Sequence, residues 1–144
     1  MIKEFRDQHF FLSNFYTHEF TYDGQTYQNA EAAFQSMKAP KSDRDKYSNV
    51  PPNVAKRMGR KENLPQDWAT RSEDVMLEIV RTKFSDPMMA KRLLDTGTQA
   101  LIEGNNWHDN KWGDCTCPKC RNNPGSNKLG MILMQVRDKL KSQA

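Results

Sequence analysis

Residues 29–39 read N-A-E-A-A-F-Q-S-M-K-A, a run of strong helix formers behind an Asn suited to cap a helix N-terminus. Pro40 closes the run, because the residue before a proline is pushed out of the α region. Upstream, residues 20–27 (F-T-Y-D-G-Q-T-Y) alternate aromatic and polar side chains around Asp23-Gly24, a short-range hairpin signal. Residues 9–16 (H-F-F-L-S-N-F-Y) are aromatic and read as extended. Together these stretches predict a small β element at the start of the chain. Downstream, residues 51–60 (P-P-N-V-A-K-R-M-G-R) predict a short helix with Asn53 near its start. Residues 66–84 place Val75, Met76, Ile79, Val80 and Phe84 close to helical periodicity. Asp86-Pro87 reads as an N-cap followed by proline at the first helical position, with Gly97 as the stop. Residues 126–141 carry Leu129, Ile132, Leu133, Val136 and Leu140, an amphipathic helix. Between the last two helices, residues 104–125 are rich in Asn, Trp, Cys, Asp and Gly. A loop of roughly 20 residues is uncommon in a compact domain and is usually functional. The expectation is one α+β domain over residues 1–144, compact and mostly helical, with a working loop.

Composition narrows the function. The 144 residues suit one domain able to bury a core without disulfide staples. Mean hydropathy is low at −0.92, but 10% aromatic residues offset it, because each ring buries a large area. No apolar run approaches the ~20 residues that span a bilayer. The N-terminus, M-I-K-E-F-R-D-Q, lacks the apolar stretch of a signal peptide. Neither membrane span nor export is expected, and a cytoplasmic location is. The net charge of +4 suits an anionic ligand such as a phosphate or nucleotide, and is too small to indicate a general nucleic-acid binder.

Four constellations carry chemistry. Glu31 and Lys38 are seven residues apart on the predicted helix, with Gln35 between them, so all three share one face. They read either as a solvated surface face, the more ordinary case, or as one wall of a polar pocket. His108-Asp109 and Trp112-Gly113-Asp114 sit in the unusual loop. There an Asp beside aromatics is a candidate acid or base, and a Trp is a flat stacking face. Equally, Trp107 and Trp112 can plug the core while Asp109 caps a turn. C-T-C-P-K-C at 115–120 places Cys115, Cys117 and Cys120 close together, with His108 as a fourth candidate ligand for a structural zinc. Only one half of a paired zinc motif is visible, so the spacing favours free thiols. Lys56, Arg57, Arg60, Lys61 and Arg71 form a basic group in which Arg57 and Arg60 are candidates for phosphate oxygens. No Walker loop, G-x-G-x-x-G, H-E-x-x-H or G-x-S-x-G is present, which leaves P-loop hydrolysis, a Rossmann cofactor, a zincin and a serine esterase unsupported.

These pieces resemble the NADAR (YbiA-like) family of N-glycosidases along almost the whole chain. The resemblance rests on F-L-S-N-F-Y at 11–16, Y-D-G-Q-T-Y at 22–27 and E-A-A-F-Q-S-M-K at 31–38. It continues through A-K-R-M-G-R at 55–60, L-L-D-T-G at 93–97, D-N-K-W-G-D at 109–114 and N-K-L-G-M-I-L-M-Q-V-R at 127–137. It implies a mostly helical α+β domain that cleaves an N-glycosidic bond to ribose and needs no cofactor. Two substrate classes are implied: phosphorylated ribosylamino-pyrimidines, early intermediates of riboflavin synthesis, and ADP-ribose on guanine bases of DNA. Glu31 and Lys38 match the family's helix glutamate and lysine, and Asp109 with Trp112-Gly113 matches its D-x-x-W-G segment. Two features depart from the family. Ala32 stands where a histidine often follows the glutamate, and the cysteine stretch replaces a Gly-rich link.

Hydrolysing a ribosylamine needs a carboxylate near the anomeric carbon and a proton for the leaving nitrogen. Glu31 and Asp109 are the candidate carboxylates. Lys38 is a candidate either for a Schiff base or for holding substrate as a cation. Phe11, Phe15, Tyr16 and Trp112 are candidates to sandwich the base, and Asn14 and Gln35 to orient it. The alternative is a non-catalytic module that binds ADP-ribose or a nucleotide.

Overall fold

The structure is a computed structural model and describes residues 1–143. The fold is α+β and mostly helical. It comprises two compact units: Asn14–Asp86, and Met1–Ser13 together with the chain from Pro87 onward.

In the unit Asn14–Asp86, β1 (Phe20–Tyr22) and β2 (Gln25–Tyr27) form the expected antiparallel hairpin, with Thr21 opposite Thr26. Asp23 and Gly24 turn it with φ of 51° and 80°, the left-handed pair of a two-residue hairpin loop. Next comes α1 (Ala30–Ser36), capped by Asn29, whose Oδ1 accepts from Ala32 N–H at 2.7 Å. Six of its seven residues are buried, because Ala30, Ala32 and Ala33 are small enough for neighbouring elements to approach on several sides. Both α2 (Pro52–Arg60) and α3 (Trp68–Lys83) pack on it. The Phe34 and Trp68 rings meet at 5.3 Å between centroids. Ser36 Oγ hydrogen-bonds Tyr27 Oη at 2.8 Å, which ties the helix to the hairpin. Residues Lys41–Tyr47 form a 3-10 helix that the polar sequence does not announce.

Two expectations are corrected here. Residues 9–16 do not form a strand. Asp7–Leu12 is a 3-10 helix, entered through Asp7 at φ 53°. A lone strand leaves its N–H groups without partners, whereas a tight helix satisfies them locally, as His9 N–H to Arg6 O and Ser13 N–H to Phe10 O show. The helix predicted over 30–39 ends at Ser36. Beyond it the backbone tightens to i→i−3 hydrogen bonds, with Lys38 N–H to Gln35 O at 3.1 Å and Ala39 N–H to Ser36 O at 3.0 Å. The cause is Pro40, which bars Ala39 from the α region.

In the other unit, α4 (Pro87–Leu94) packs on α5 (Lys128–Gln143) through buried Met89, Leu93, Leu133 and Val136. Arg137 Nη1 donates to Thr96 Oγ1 at 2.9 Å, and Lys141 Nζ donates to the carbonyl of Gly97 at 2.8 Å, so the end of α5 fastens the turn after α4. The loop between them contains one two-residue parallel ladder, β3 (Gly104–Asn105) against β4 (Asp114–Cys115).

Candidate active site

Glu31 lies half-buried in the first turn of α1, and its N–H donates to the carbonyl of Asn14 at 3.0 Å. One turn on, Gln35 Nε2 donates to Glu31 Oε2 at 2.6 Å. An ionised carboxylate only accepts, so this bond fixes the amide orientation and turns Gln35 Oε1 the other way. That oxygen is buried and has no hydrogen-bond partner among the described residues. A Cβ built on Gly59 of α2 would stand 1.8 Å from it and 2.6 Å from Gln35 Cδ. Only glycine leaves room for this amide, so Gly59 positions Gln35, which in turn holds Glu31. A buried acceptor without a donor costs about 1–3 kcal/mol and calls for a functional or structural reason.

Lys38 follows α1 in the tightened turn, half-buried, with Nζ 6.0 Å from the Phe34 ring centroid. It also acts electrostatically on Glu62. There the Tyr47 hydroxyl, donating at 2.7 Å, holds the carboxyl below its usual range; Lys46 at 2.9 Å and the charge of Lys38 work in the same direction. Asn14 serves Glu31 through its backbone, while its side-chain amide is buried on Met76 Sδ at 3.4 Å. Phe15 and Tyr16 are half-buried, with the lysine Nζ of Lys56 and Lys83 at 6.0 and 5.8 Å from their rings. Arg57 and Arg60 are exposed on α2, away from its buried Ala55 and Gly59.

Sequence reasoning passed over Lys83, which is 2% exposed. It stands four residues after Ile79 on the apolar stripe of α3, and a lysine in that row is the signal that marks it. Gly59 was also missed, since a glycine inside a helical pattern gives no hint of which side chain approaches it.

In the other unit, Asp109 caps a turn: its Oδ1 accepts from the N–H groups of Lys111 at 3.1 Å and Trp112 at 2.9 Å. The loop is built from such contacts. Buried Asn105 donates Nδ2–H to Asp109 O at 2.8 Å, and its Oδ1 accepts from Trp107 and Asp109 N–H. Asn110 Oδ1 accepts from Cys115 N–H, and Asp114 Oδ1 from Gly125 N–H, each at 2.8 Å. Asx side chains here do what a ladder does elsewhere. Gly113 is a packing requirement, because a Cβ there would meet the Glu103 backbone oxygen at 2.2 Å. Trp112 is half-buried, with Lys111 Nζ 5.0 Å from its ring, and Trp107 is 50% exposed, so it does not plug a core. Phe11 is buried, with the Arg92 guanidinium 4.1 Å over its ring. Glu31 and Asp109 belong to different units.

His108, at φ 69°, brings its ring to the three cysteines, all free thiols. Burial opposes ionisation of Cys115, but hydrogen bonds from the backbone at Cys117 and His108 and from the neighbouring thiols bring its thiol down to about 7. Burial and the other two thiols push Cys120 up to about 11. A cleft of ≈ 450 Å³ lies beside this loop, lined by Lys3, Glu4, Arg6, Asn105, Asn106 and Thr116, none of them a candidate from sequence.

The family model of the NADAR domain matches residues 2–141, and the chain belongs to that family. Among curated relatives, N-glycosidase YbiA of Escherichia coli is 32% identical over 133 residues, covering 90% of this chain and 80% of that protein. A riboflavin biosynthesis protein of Vibrio vulnificus is 32% identical over 153 residues, covering 96% of this chain and 37% of that protein. The NMR structure of E. coli YbiA matches with a TM-score of 0.83 at 30% identity, over 99% of this chain and 86% of that one. Among the described residues, no helix is long and apolar enough to cross a membrane.

Proposed function

We propose that the chain is an N-glycosidase that hydrolyses the bond between ribose and nitrogen in a phosphorylated ribosylamino-pyrimidine. The enzyme class follows the YbiA relatives, which are named N-glycosidases and align along most of the chain. The substrate class follows the riboflavin biosynthesis name of the Vibrio vulnificus relative. The observation that carries the reading is the half-buried Glu31 carboxylate held at 2.6 Å by Gln35.

As the C–N bond breaks, positive charge grows on the anomeric carbon and the ring oxygen. A fixed carboxylate stabilises that charge at no reorganisation cost. The nitrogen leaves with the bonding pair and takes up a proton, and water adds to the anomeric carbon and loses one. Glu31 takes the first role. Lys38, half-buried just after α1, is taken as the group that holds substrate as a cation. Phe15 and Tyr16 offer stacking faces, and the exposed guanidinium groups of Arg57 and Arg60 suit phosphate oxygens.

The test is incubation of purified protein, separately, with a phosphorylated ribosylamino-pyrimidine and with an ADP-ribosylated guanine oligonucleotide, followed by mass spectrometry. The expected result is release of the free pyrimidine, with no adduct trapped by borohydride. Release of ADP-ribose from the oligonucleotide instead assigns the second substrate class. Tight ADP-ribose binding with no product from either identifies a binding module.

A further inference from the structure

His108, Cys115, Cys117 and Cys120 converge on one point, and we propose that they form a structural zinc site that staples the loop between α4 and α5. The four ligand atoms all lie within 4.8 Å of one another. His108 Nδ1 stands 3.3 Å from Cys117 Sγ, 3.4 Å from Cys120 Sγ and 3.9 Å from Cys115 Sγ. A tetrahedral zinc, with Zn–S of about 2.3 Å and Zn–N of about 2.0–2.1 Å, sets N···S separations at about 3.6 Å and S···S separations at about 3.8 Å. The three observed N···S distances bracket the first value.

The donor set selects the metal. Three thiolates and an imidazole are soft to borderline ligands in tetrahedral array, which suits zinc and does not suit magnesium or calcium. All four positions are protein ligands, so no position is open for water, and the site is of the closed, structural kind. Three thiolates and a neutral imidazole around a dication leave one net negative charge, and Lys119 and Arg121 flank the last cysteine in sequence. Binding releases thiol protons to solvent.

The fold explains what the staple is for. Cys115 ends the two-residue β4, whose pairing with β3 is the loop's one ladder. His108 is presented by a left-handed backbone position that an L-residue adopts at a cost. Cys120 N–H donates to Cys117 O at 3.0 Å, so the last two ligands share one turn. Metal bonds therefore join three pieces of loop that otherwise depend on a two-residue ladder, a few backbone bonds and Asx contacts. The sequence obscured the site because Cys-x-Cys is tighter than the usual paired spacing and the fourth ligand precedes the cysteines.

The test uses the whole protein, purified without chelator from zinc-supplemented cells. Expected are about one zinc per chain by elemental analysis and three thiols that react with a thiol reagent only after EDTA. Replacement by cobalt should give the ligand-field and thiolate charge-transfer bands of a tetrahedral sulfur-rich site. Cys117→Ser and Cys120→Ser should each weaken zinc binding by about tenfold or more, while His108→Cys, which supplies a fourth thiolate, should retain the metal. Glu31→Gln should keep full zinc occupancy, so the site stands apart from the proposed reaction. Three results overturn the proposal: three reactive thiols in protein that takes up no added zinc or cobalt, a disulfide among the cysteines in place of metal, or zinc that persists at one per chain in both serine variants. The first two are read on wild-type protein and hold even if the variants fail to fold.

Discussion

The stretch from Asn29 to Ala39 and the loop from Gly104 to Asn127 both carry chemistry-bearing side chains, but they are held in opposite ways. In the first, a capped helix places Glu31 and Gln35 one turn apart, and the backbone's own period makes them meet at 2.6 Å. In the second, almost no regular structure exists. Asp109, Trp112 and the cysteines are placed by Asn105, Asn110, Asp114 and Asn127, each satisfying backbone groups that a strand or helix would otherwise pair. The difference is one of error tolerance. A helix averages its geometry over many equivalent bonds, whereas a loop of this kind loses its shape when one side chain is removed.

The largest expected effect is on chemistry. Glu31→Gln should lower turnover by about 10²–10⁴-fold while leaving the melting temperature near that of wild type, because the amide can still meet Gln35 in the helix geometry. A matching collapse in stability would mean that the helix side is as fragile as the loop. Next comes Gly59→Ala. The added methyl displaces Gln35 or the α1–α2 contact, which should cost about 1–3 kcal/mol in urea unfolding and slow turnover, since Glu31 loses its partner. Unchanged turnover would remove Gln35 from the account.

Asn105→Ala sharpens the comparison from the loop side. It leaves the N–H groups of Trp107 and Asp109 and the carbonyl of Asp109 without their partner, at a cost of about 1–3 kcal/mol. Amide hydrogen exchange should quicken across residues 105–116 and not across α1. The smallest effect concerns pH. The Tyr47 hydroxyl, with Lys46 and Lys38, depresses the Glu62 carboxyl below its ordinary value of 4.5. A carboxylate whose folded-state pKa is lowered adds stability that is fully present above that ordinary value and is lost as pH falls through the folded one. Tyr47→Phe should therefore reduce stability by about 1–2 kcal/mol at neutral pH and flatten the loss between pH 4.5 and more acidic conditions, read as denaturation midpoints across that range. An undiminished acid dependence would show that Lys46 and Lys38 alone hold Glu62.

What the sequence revealed follows the same division. The Asp23-Gly24 hairpin, the Asn29 cap, the Asp86-Pro87 helix start and the amphipathic α5 are all set by local chemistry, and the structure shows each of them. The aromatic run at 9–16 misled, because aromatic content marks a strand only where a partner strand exists. The face shared by Glu31 and Gln35 was legible, while the tightening of the backbone at Lys38 ahead of Pro40 was not. Gly59 and Lys83 depend on what packs against them, and one sequence does not show that. The loop's Asn and Asp residues announced irregular backbone without saying which side chain would satisfy which N–H group.

The central claim is that Glu31, held by Gln35, stabilises the transition state of N-glycosidic cleavage. The most direct measurement compares single-turnover release of pyrimidine from a phosphorylated ribosylamino-pyrimidine by wild type and Glu31→Gln, alongside substrate affinity for each. Wild type should release pyrimidine, and the variant should lose about 10²–10⁴-fold with little change in Kd, the signature of an interaction made chiefly in the transition state. Equal release by both proteins, or a variant that fails only because it no longer binds, would contradict it.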